Sequence, residues 1–300
     1  MLINNLGTCL VTGASGFVGA RLVSYLKGFD INVKILGRRN FNNCIFNECD
    51  FFKDEIKEEF FEDVDTIFHL AGLAHDTDNK DSISNYEKIN IETTKKITNI
   101  AIKNKVKRFI FLSSIKAVDL NNQDLQNLDS DIYGKTKRIS EIYLQQISQS
   151  SGMSVKIIRS CLVYGPNMKG NLKDLFEAIN QGWFPKLTKD TNKRSMIHVD
   201  DLVKALVLVA KEYSSTEPIV VSDGKGYSSR EIYDSLHKKV NKKNFSLRLP
   251  EAILKSGYLI PVVKKKLQKI YGDEFFNTTE IFKLGFKPQF SLKEFNEKSF

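Results

Sequence analysis

The chain lacks any apolar run long enough to cross a bilayer, and its first residues lack the charged-then-apolar layout of a secretory signal, so neither membrane insertion nor export is expected. Cysteine and histidine are scarce, four of each in 300 residues. Cys9, Cys44, Cys49 and Cys161 form no C-x-x-C pair and have few histidines to join them. That argues against a metal site or a disulfide framework and for a reducing cytoplasm. No repeat or low-complexity tract stands out, and no aromatic-rich basic motif accompanies the net charge of +9. Nucleic-acid binding is therefore not expected. Scattered, solvated lysines account for the charge, and an anionic small substrate would benefit from the field.

What is present begins near the N-terminus. The apolar run Cys9 to Val11 leads into Gly13-x-x-Gly16-x-x-Gly19 and then Leu22, Val23 and Leu26, an apolar helix start. Strand, glycine turn and helix in that order place a helix N-terminus just beyond a strand end, where N–H groups and the helix dipole favour a pyrophosphate. Gly13 suits the tight turn, Gly16 a close backbone approach to phosphate, and Gly19 close packing of helix on sheet.

Ile31 to Leu36 reads as a second strand. At its end, where an acidic side chain usually meets a free adenosine ribose, the chain carries Gly37-Arg38-Arg39. Two guanidiniums suit a 2′-phosphate, with Arg21 as a further candidate, so NADP(H) is favoured over NAD. A third strand spans about Asn43 to Cys49 and ends at Asp50. Asp65 to Gly72 reads as a fourth strand with its exit loop, Leu70-Ala71-Gly72. His69 within it is expected to be packed and hydrogen-bonded. Ser82 to Lys103 is helical, with Tyr86, Ile89, Ile97, Ile100 and Ala101 on one buried face. Arg108 to Leu112 is a strand running into Ser113-Ser114. The alternation predicts an α/β, doubly wound parallel sheet covered on both faces. Residues 1–165 are expected to form the dinucleotide-binding domain, and 166–300 mainly a smaller C-terminal α/β substrate-binding part, with some later segments returning to the sheet.

Tyr133-Gly134-Lys135-Thr136-Lys137 supplies Tyr-x-x-x-Lys ahead of an amphipathic pattern of Ile139, Ile142, Tyr143 and Ile147. Residues four apart share a helix face. An ammonium about 4 Å from a phenol, through an effective dielectric near 20, is worth on the order of 4 kcal/mol. At about 1.4 kcal/mol per unit, that brings the phenol from roughly 10 toward 7, within reach of proton exchange with a sugar or ketone oxygen.

Together these motifs resemble the extended short-chain dehydrogenase/reductases, the NAD(P)-dependent nucleotide-sugar epimerases, dehydratases and reductases. The resemblance runs through Thr12-Gly13-Ala14-Ser15-Gly16-Phe17-Val18-Gly19, His69-Leu70-Ala71-Gly72, Asn90 with Thr93, Ser113-Ser114, Tyr133 with Lys137, Arg159 to Pro166, Arg194 to Leu202 and Leu284-Gly285-Phe286. It implies a Rossmann sheet. It implies cofactor contacts from Gly13, Ser15, Gly16, Phe17, Val18, Gly19, Arg38, Arg39, Asp50 (toward the adenine), Leu70, Ala71, Gly72, Asn90, Tyr133 and Lys137. Catalysis would fall to Tyr133, Lys137 and Ser114, with Ser113 the runner-up. Ser114, Lys116, Asn171 and Arg194 would meet the substrate, the last two at its diphosphate. Asp201 is expected to cap the helix after it, His198 to pack, and Ser228 with Glu231 to form a helix cap.

Where dehydratases of this kind carry Asp-Glu after the serine, this chain has Ile115-Lys116, which speaks against dehydration and decarboxylation. The resemblance is strongest to bacterial enzymes that reduce the 4-keto group of a UDP-2-acetamido-2,6-dideoxy-hexulose for surface polysaccharide. A 4-epimerase with tightly held NAD is the alternative. A cofactor-sensing regulator on the same fold is disfavoured by the intact Tyr133 and Lys137. A homodimer is the usual assembly. The loop 119–131 is expected on the surface above the site, and 250–272 reads as a basic amphipathic helix.

Overall fold

The computed structural model describes residues 3–41, 43–74, 83–118, 132–182, 184, 186–187, 191–238 and 272–292. The loop 119–131 and the segment 250–271 lie outside the described residues. Among those described, no helix is long and apolar enough to cross a membrane.

The larger of two units comprises Met1–Cys161, Leu202–Val221 and Thr279–Phe286. Its centre is a seven-stranded parallel sheet in the order β3-β2-β1-β4-β5-β6-β9. The strands are β1 Cys9–Thr12, β2 Val33–Gly37, β3 Ile45–Glu48, β4 Thr66–His69, β5 Arg108–Ser114, β6 Ser154–Ser160 and β9 Ile219–Val221. β1 and β4 are buried at every position, the continuous burial that a sheet covered on both faces imposes. Leu10, Ile67, Phe109, Phe111 and Ile157 from the strands pack with Ile97, Ile100 and Ala101 of helix α3 (Thr93–Lys103) and Leu144 of α4 (Ile132–Ser151). The strand order reverses at β1, which pairs with β2 on one side and β4 on the other. In open α/β sheets the crevice at the carboxyl ends of such a pair is where ligands bind.

The long helix that the periodicity predicts from Ser82 has a defect in its middle. α2 (Ile83–Tyr86) passes through a π-helical turn, Glu87–Glu92, into α3. Tyr86, Ile89, Ile97, Ile100 and Ala101 are nevertheless all buried. β2 starts two residues later than its alternating pattern suggests, because the backbone N–H of Ile31 is drawn to the Leu26 carbonyl at the end of α1 (Phe17–Lys27).

The amphipathic pattern of α4 holds in part, with Tyr143 and Ile147 packed against the core. Ile139, Ile142, Tyr143 and Ile147 are only half-buried, and the fully buried side is Thr136, Lys137, Ser140, Glu141 and Leu144. Apart from Leu144, which joins the apolar core, the most enclosed stripe of this helix is polar and serves hydrogen bonds and charge.

The smaller unit comprises Leu162–Asp201, Ser222–Thr278 and Lys287–Phe300. Its three-stranded sheet runs β10-β8-β7, from Gly226–Tyr227, Arg194–His198 and Leu162–Tyr164. α5 (Asn171–Gln181) and α7 (Ser229–His237) also belong to it. Ser228 and Glu231 form a full capping box at the start of α7. Asp201 departs from its expected role. α6 (Val199–Glu212) begins two residues before it, so Asp201 lies inside the first turn. There its Oδ2 accepts from the backbone N–H groups of Gln289 and Phe290, both at 2.9 Å. His198 stands ahead of the helix, accepts from Asp200 N through Nδ1 at 3.3 Å, and stacks on Phe290.

Candidate active site

The loop after β1 is shaped by close approaches. Gly13 has φ +72°, the left-handed region that glycine tolerates best, and a Cβ there would lie 2.7 Å from Ala71 N. A Cβ on Gly19 would collide with the Gly13 carbonyl oxygen. α1 starts after Gly16 with no side-chain cap and no acidic residue in its first turn. Its leading N–H groups thus face the crevice end without a carboxylate to compete for them. Ser15, Phe17 and Val18 lie in this same turn and helix start.

The exit of β4 is tied to the helices that follow. Asn90, buried in the π-helical turn, accepts from Leu73 N at 2.8 Å and donates to Leu73 O at 3.1 Å and Thr136 Oγ1 at 3.0 Å. Its amide thereby clamps the segment Leu70-Ala71-Gly72-Leu73 to α4. A Cβ on Gly72 would stand 3.0 Å from Asn90 Oδ1 and 3.2 Å from Lys137 Nζ, so Gly72 leaves room for the lysine head.

Tyr133 and Lys137 lie one turn apart on α4, the tyrosine half-buried and the lysine buried. Lys137 Nζ donates to the Leu112 carbonyl at 2.9 Å and stands 4.5 Å from the Phe111 ring centroid. Burial pulls its pKa down to about 8, while the nearby Glu141 pushes it back up. Between Tyr133 and Lys137, a Cβ on Gly134 would strike the Lys116 carbonyl oxygen, so the start of α4 sits tight against the turn that follows β5.

The two serines ending β5 differ. Ser113 donates to Glu141 Oε1 at 2.6 Å. Ser114 accepts from Lys116 N at 3.2 Å, which leaves its own proton available to a ligand. Glu141 is fully buried and also takes a bidentate Arg159 (Nε–Oε1 2.9 Å, Nη2–Oε2 2.6 Å) and Arg138 at 3.1 Å. Such forked pairs are directional as well as strong, and this one locks α4 to β5 and β6. Glu141 escaped the sequence reading. Its signal was an acid four residues beyond Lys137, on the side of the helix that carries the lysine.

The remaining expected residues divide between the two units. Arg38 and Arg39 are exposed just past β2. Asp50 follows β3 and accepts from Phe52 N at 3.1 Å. Lys116 is exposed, in a short turn of 3-10 helix, Ile115–Ala117, after β5. Asn171 and Arg194 belong to the smaller unit. Asn171 is the exposed first residue of α5, and Arg194 donates to Glu274 at 3.1 Å. His69 is fully enclosed in the larger unit, between Thr12 and Thr94.

Comparison with known proteins adds four likenesses. The family model described as "NAD dependent epimerase/dehydratase family" matches residues 9–222. A UDP-glucose 4-epimerase of Vibrio cholerae is 30% identical over 259 residues, 80% of this chain and 78% of that protein. An N-acetyl-alpha-D-glucosaminyl-diphospho-ditrans,octacis-undecaprenol 4-epimerase of Escherichia coli O157:H7 is 26% identical over 306 residues, 95% of this chain and 92% of that protein. Among solved structures, MoeE5 in complex with UDP-glucose and NAD shares the fold, with a TM-score of 0.72 at 22% identity over 96% of this chain and 95% of that one.

Proposed function

The chain belongs to the NAD dependent epimerase/dehydratase family, and from that premise we propose that it exchanges a hydride at C4 of the sugar in a UDP-sugar, acting as a UDP-hexose 4-epimerase. The observation that carries this is the Tyr133–Lys137 pair on α4, its lysine buried beside Gly72 and the end of β5. The two relatives named as 4-epimerases support it.

A nicotinamide dinucleotide, when bound, supplies the hydride exchange. The chain fits one: Gly13 and Gly19 leave no room for a Cβ, and α1 presents an uncapped N-terminus free of acids. Gly13, Ser15, Gly16, Phe17, Val18 and Gly19 would hold its diphosphate. Leu70, Ala71 and Gly72 would form its floor, with Asn90 behind them. Tyr133 moves a proton to and from the sugar oxygen at its phenol. Lys137, charged at neutral pH, favours the phenolate and would donate to the cofactor ribose. Ser114 donates to the same sugar oxygen and fixes its direction. Ile115 and Lys116 cannot supply the carboxylates that removing water across neighbouring carbons would require. Asn171 and Arg194 are assigned to the diphosphate of the nucleotide sugar, where the phosphate would compete with Glu274 for the guanidinium. A cytoplasmic homodimer is the state we assign, to be checked by sedimentation.

A second reading has its own support. Arg38 and Arg39, with no acid at the end of β2, suit a 2′-phosphate. They favour NADPH-dependent reduction of the 4-keto group of a UDP-2-acetamido-2,6-dideoxy-hexulose, because a reductase gains from an exchangeable cofactor whereas an epimerase must return its own hydride. Denaturing the purified protein and identifying the released dinucleotide separates the two. Stoichiometric NAD supports the epimerase. An empty protein that binds NADPH better than NADH supports the reductase.

A further inference from the structure

We propose that His69, held as the Nε2–H tautomer, is a positioning residue that sets the glycine loop against the helix of Tyr133 and Lys137. The structural half of this stands on hydrogen bonds alone; its consequence for turnover rests on the hydride-exchange reading above.

The tautomer follows from counting protons. Thr94 Oγ1 lies 2.7 Å from the Asn90 carbonyl, to which only its hydroxyl proton can be given. Toward His69 Nε2, 2.9 Å away, Thr94 is therefore an acceptor, and Nε2 carries the proton. On the other side, Thr12 Oγ1 accepts from Ala71 N at 3.2 Å and lies 2.7 Å from His69 Nδ1, to which it gives its own proton. A neutral imidazole offers one donor and one acceptor, and both are used. An imidazolium would face Thr12 with a second donor. Burial and the charge of Lys137 hold the pKa near 3, so the ring stays neutral. Phe111 stacks on it, with centroids 5.8 Å apart.

The result is one polarised chain: Ala71 N–H to Thr12, Thr12 to His69, His69 to Thr94, Thr94 to the Asn90 carbonyl. Ser140 on α4 donates to that same carbonyl at 2.8 Å, and the Asn90 amide holds Leu73 and Thr136. Thr12 adjoins Gly13, and Thr136 and Ser140 flank Lys137 on its own helix. His69 is thus the only ring in a strut that begins at the dinucleotide loop and ends at the proton-transfer helix. An apolar side chain of similar bulk would fill the space and remove the ring's hydrogen bonds to both threonines, loosening the strut while the binding groups stay in place.

Three readouts test this on the full chain. In 15N-labelled protein, His69 should show a bonded proton at Nε2 and none at Nδ1, unchanged through neutral pH; a proton at Nδ1, or titration near neutrality, overturns the assignment. In His69→Leu, the Leu73 amide should exchange with solvent faster than in wild type while β5 amides do not; equal protection overturns the strut. With cofactor and a UDP-sugar, His69→Leu should lose on the order of 10²-fold in kcat with little change in KM or cofactor Kd. His69→Gln, which keeps a donor toward Thr94, should recover part of the loss. Wild-type kcat in His69→Leu, or a loss confined to KM, refutes the positioning role. If wild type itself exchanges no hydride with any UDP-sugar, the proposed function fails, and the tautomer and exchange measurements still decide the strut.

Discussion

Ser113 gives its hydroxyl proton to the buried carboxylate of Glu141 at 2.6 Å, whereas its neighbour Ser114 only accepts, from Lys116 N. Adjacent positions on a strand point to opposite faces, so one serine is committed to the scaffold and the other is available to a ligand. Ser114→Ala should lower kcat by about 10²-fold and barely move the melting temperature. Ser113→Ala should cost about 1.5–3 kcal/mol of stability, as expected for a bond to a charged group, with the smaller kinetic effect. Steady-state kinetics and urea unfolding on both variants check this, and the reverse pattern would make Ser113 the catalytic serine.

Removing the carboxylate itself should be worse. Glu141→Ala leaves Arg159 and Arg138 without the group that holds them. Breaking one side of a buried pair costs about 3–5 kcal/mol. A urea midpoint close to wild type would show that the cluster is dispensable.

Lys137 makes stability depend on pH with a defined sign. Its folded pKa of about 8 lies below the ordinary lysine value of 10.5. Below pH 8 it is charged in both states, and the folded chain bears the cost of burying that charge. Between 8 and 10.5 the unfolded chain binds more protons, so unfolding free energy rises with pH, by on the order of 3 kcal/mol in total. Lys137→Met should lack this rise. The check is the difference between wild type and variant in urea unfolding at neutral and at alkaline pH; parallel curves would place the lysine in a wetter setting.

The cofactor arginines offer a selectivity test. If Arg38 forks onto a 2′-phosphate, Arg38→Ala should weaken NADPH about ten- to a hundredfold, the value of a charge-assisted bond, and NADH little. Titration by cofactor fluorescence measures both, and equal weakening would remove the phosphate role.

Gly134→Ala has an unusual expected sign. In an ordinary helix this change stabilises by up to about 1 kcal/mol. Here the new methyl meets the Lys116 carbonyl, and overpacking costs about 1–3 kcal/mol. The variant should melt lower than wild type and turn over more slowly as Tyr133 shifts.

What could be read in advance was what lies close together along the chain. The turn from Thr12 to Gly19, the Tyr133–Lys137 spacing and the Ser228–Glu231 cap are each written within a few residues. The cluster of Ser113, Glu141 and Arg159 joins three distant segments, and Glu141 with Arg138 at i,i+3 looks in sequence like an exposed helix pair. The enclosed face of α4 is hidden for the same reason: periodicity locates apolar stripes such as the one that brings Tyr143 and Ile147 onto the core, and the fully buried stripe beside it is mostly polar. Asp201 could be seen as a helix-start residue, but its hold on Gln289 and Phe290 could not, since only the fold brings those amides to it.

The place of β9 in the sheet bears on how the chain is made. β9 closes against β6, yet β7, α5, β8 and α6 all intervene between them. On the ribosome, the strands through β6 can assemble while the outer edge of β6, with Ile158 to Ser160 awaiting Ile219 to Val221, still has nothing to pair with. An open edge in a parallel sheet invites other chains. While the intervening segment is translated that edge stays open, and slowing translation within it should lower the soluble yield more than slowing it before Ser160.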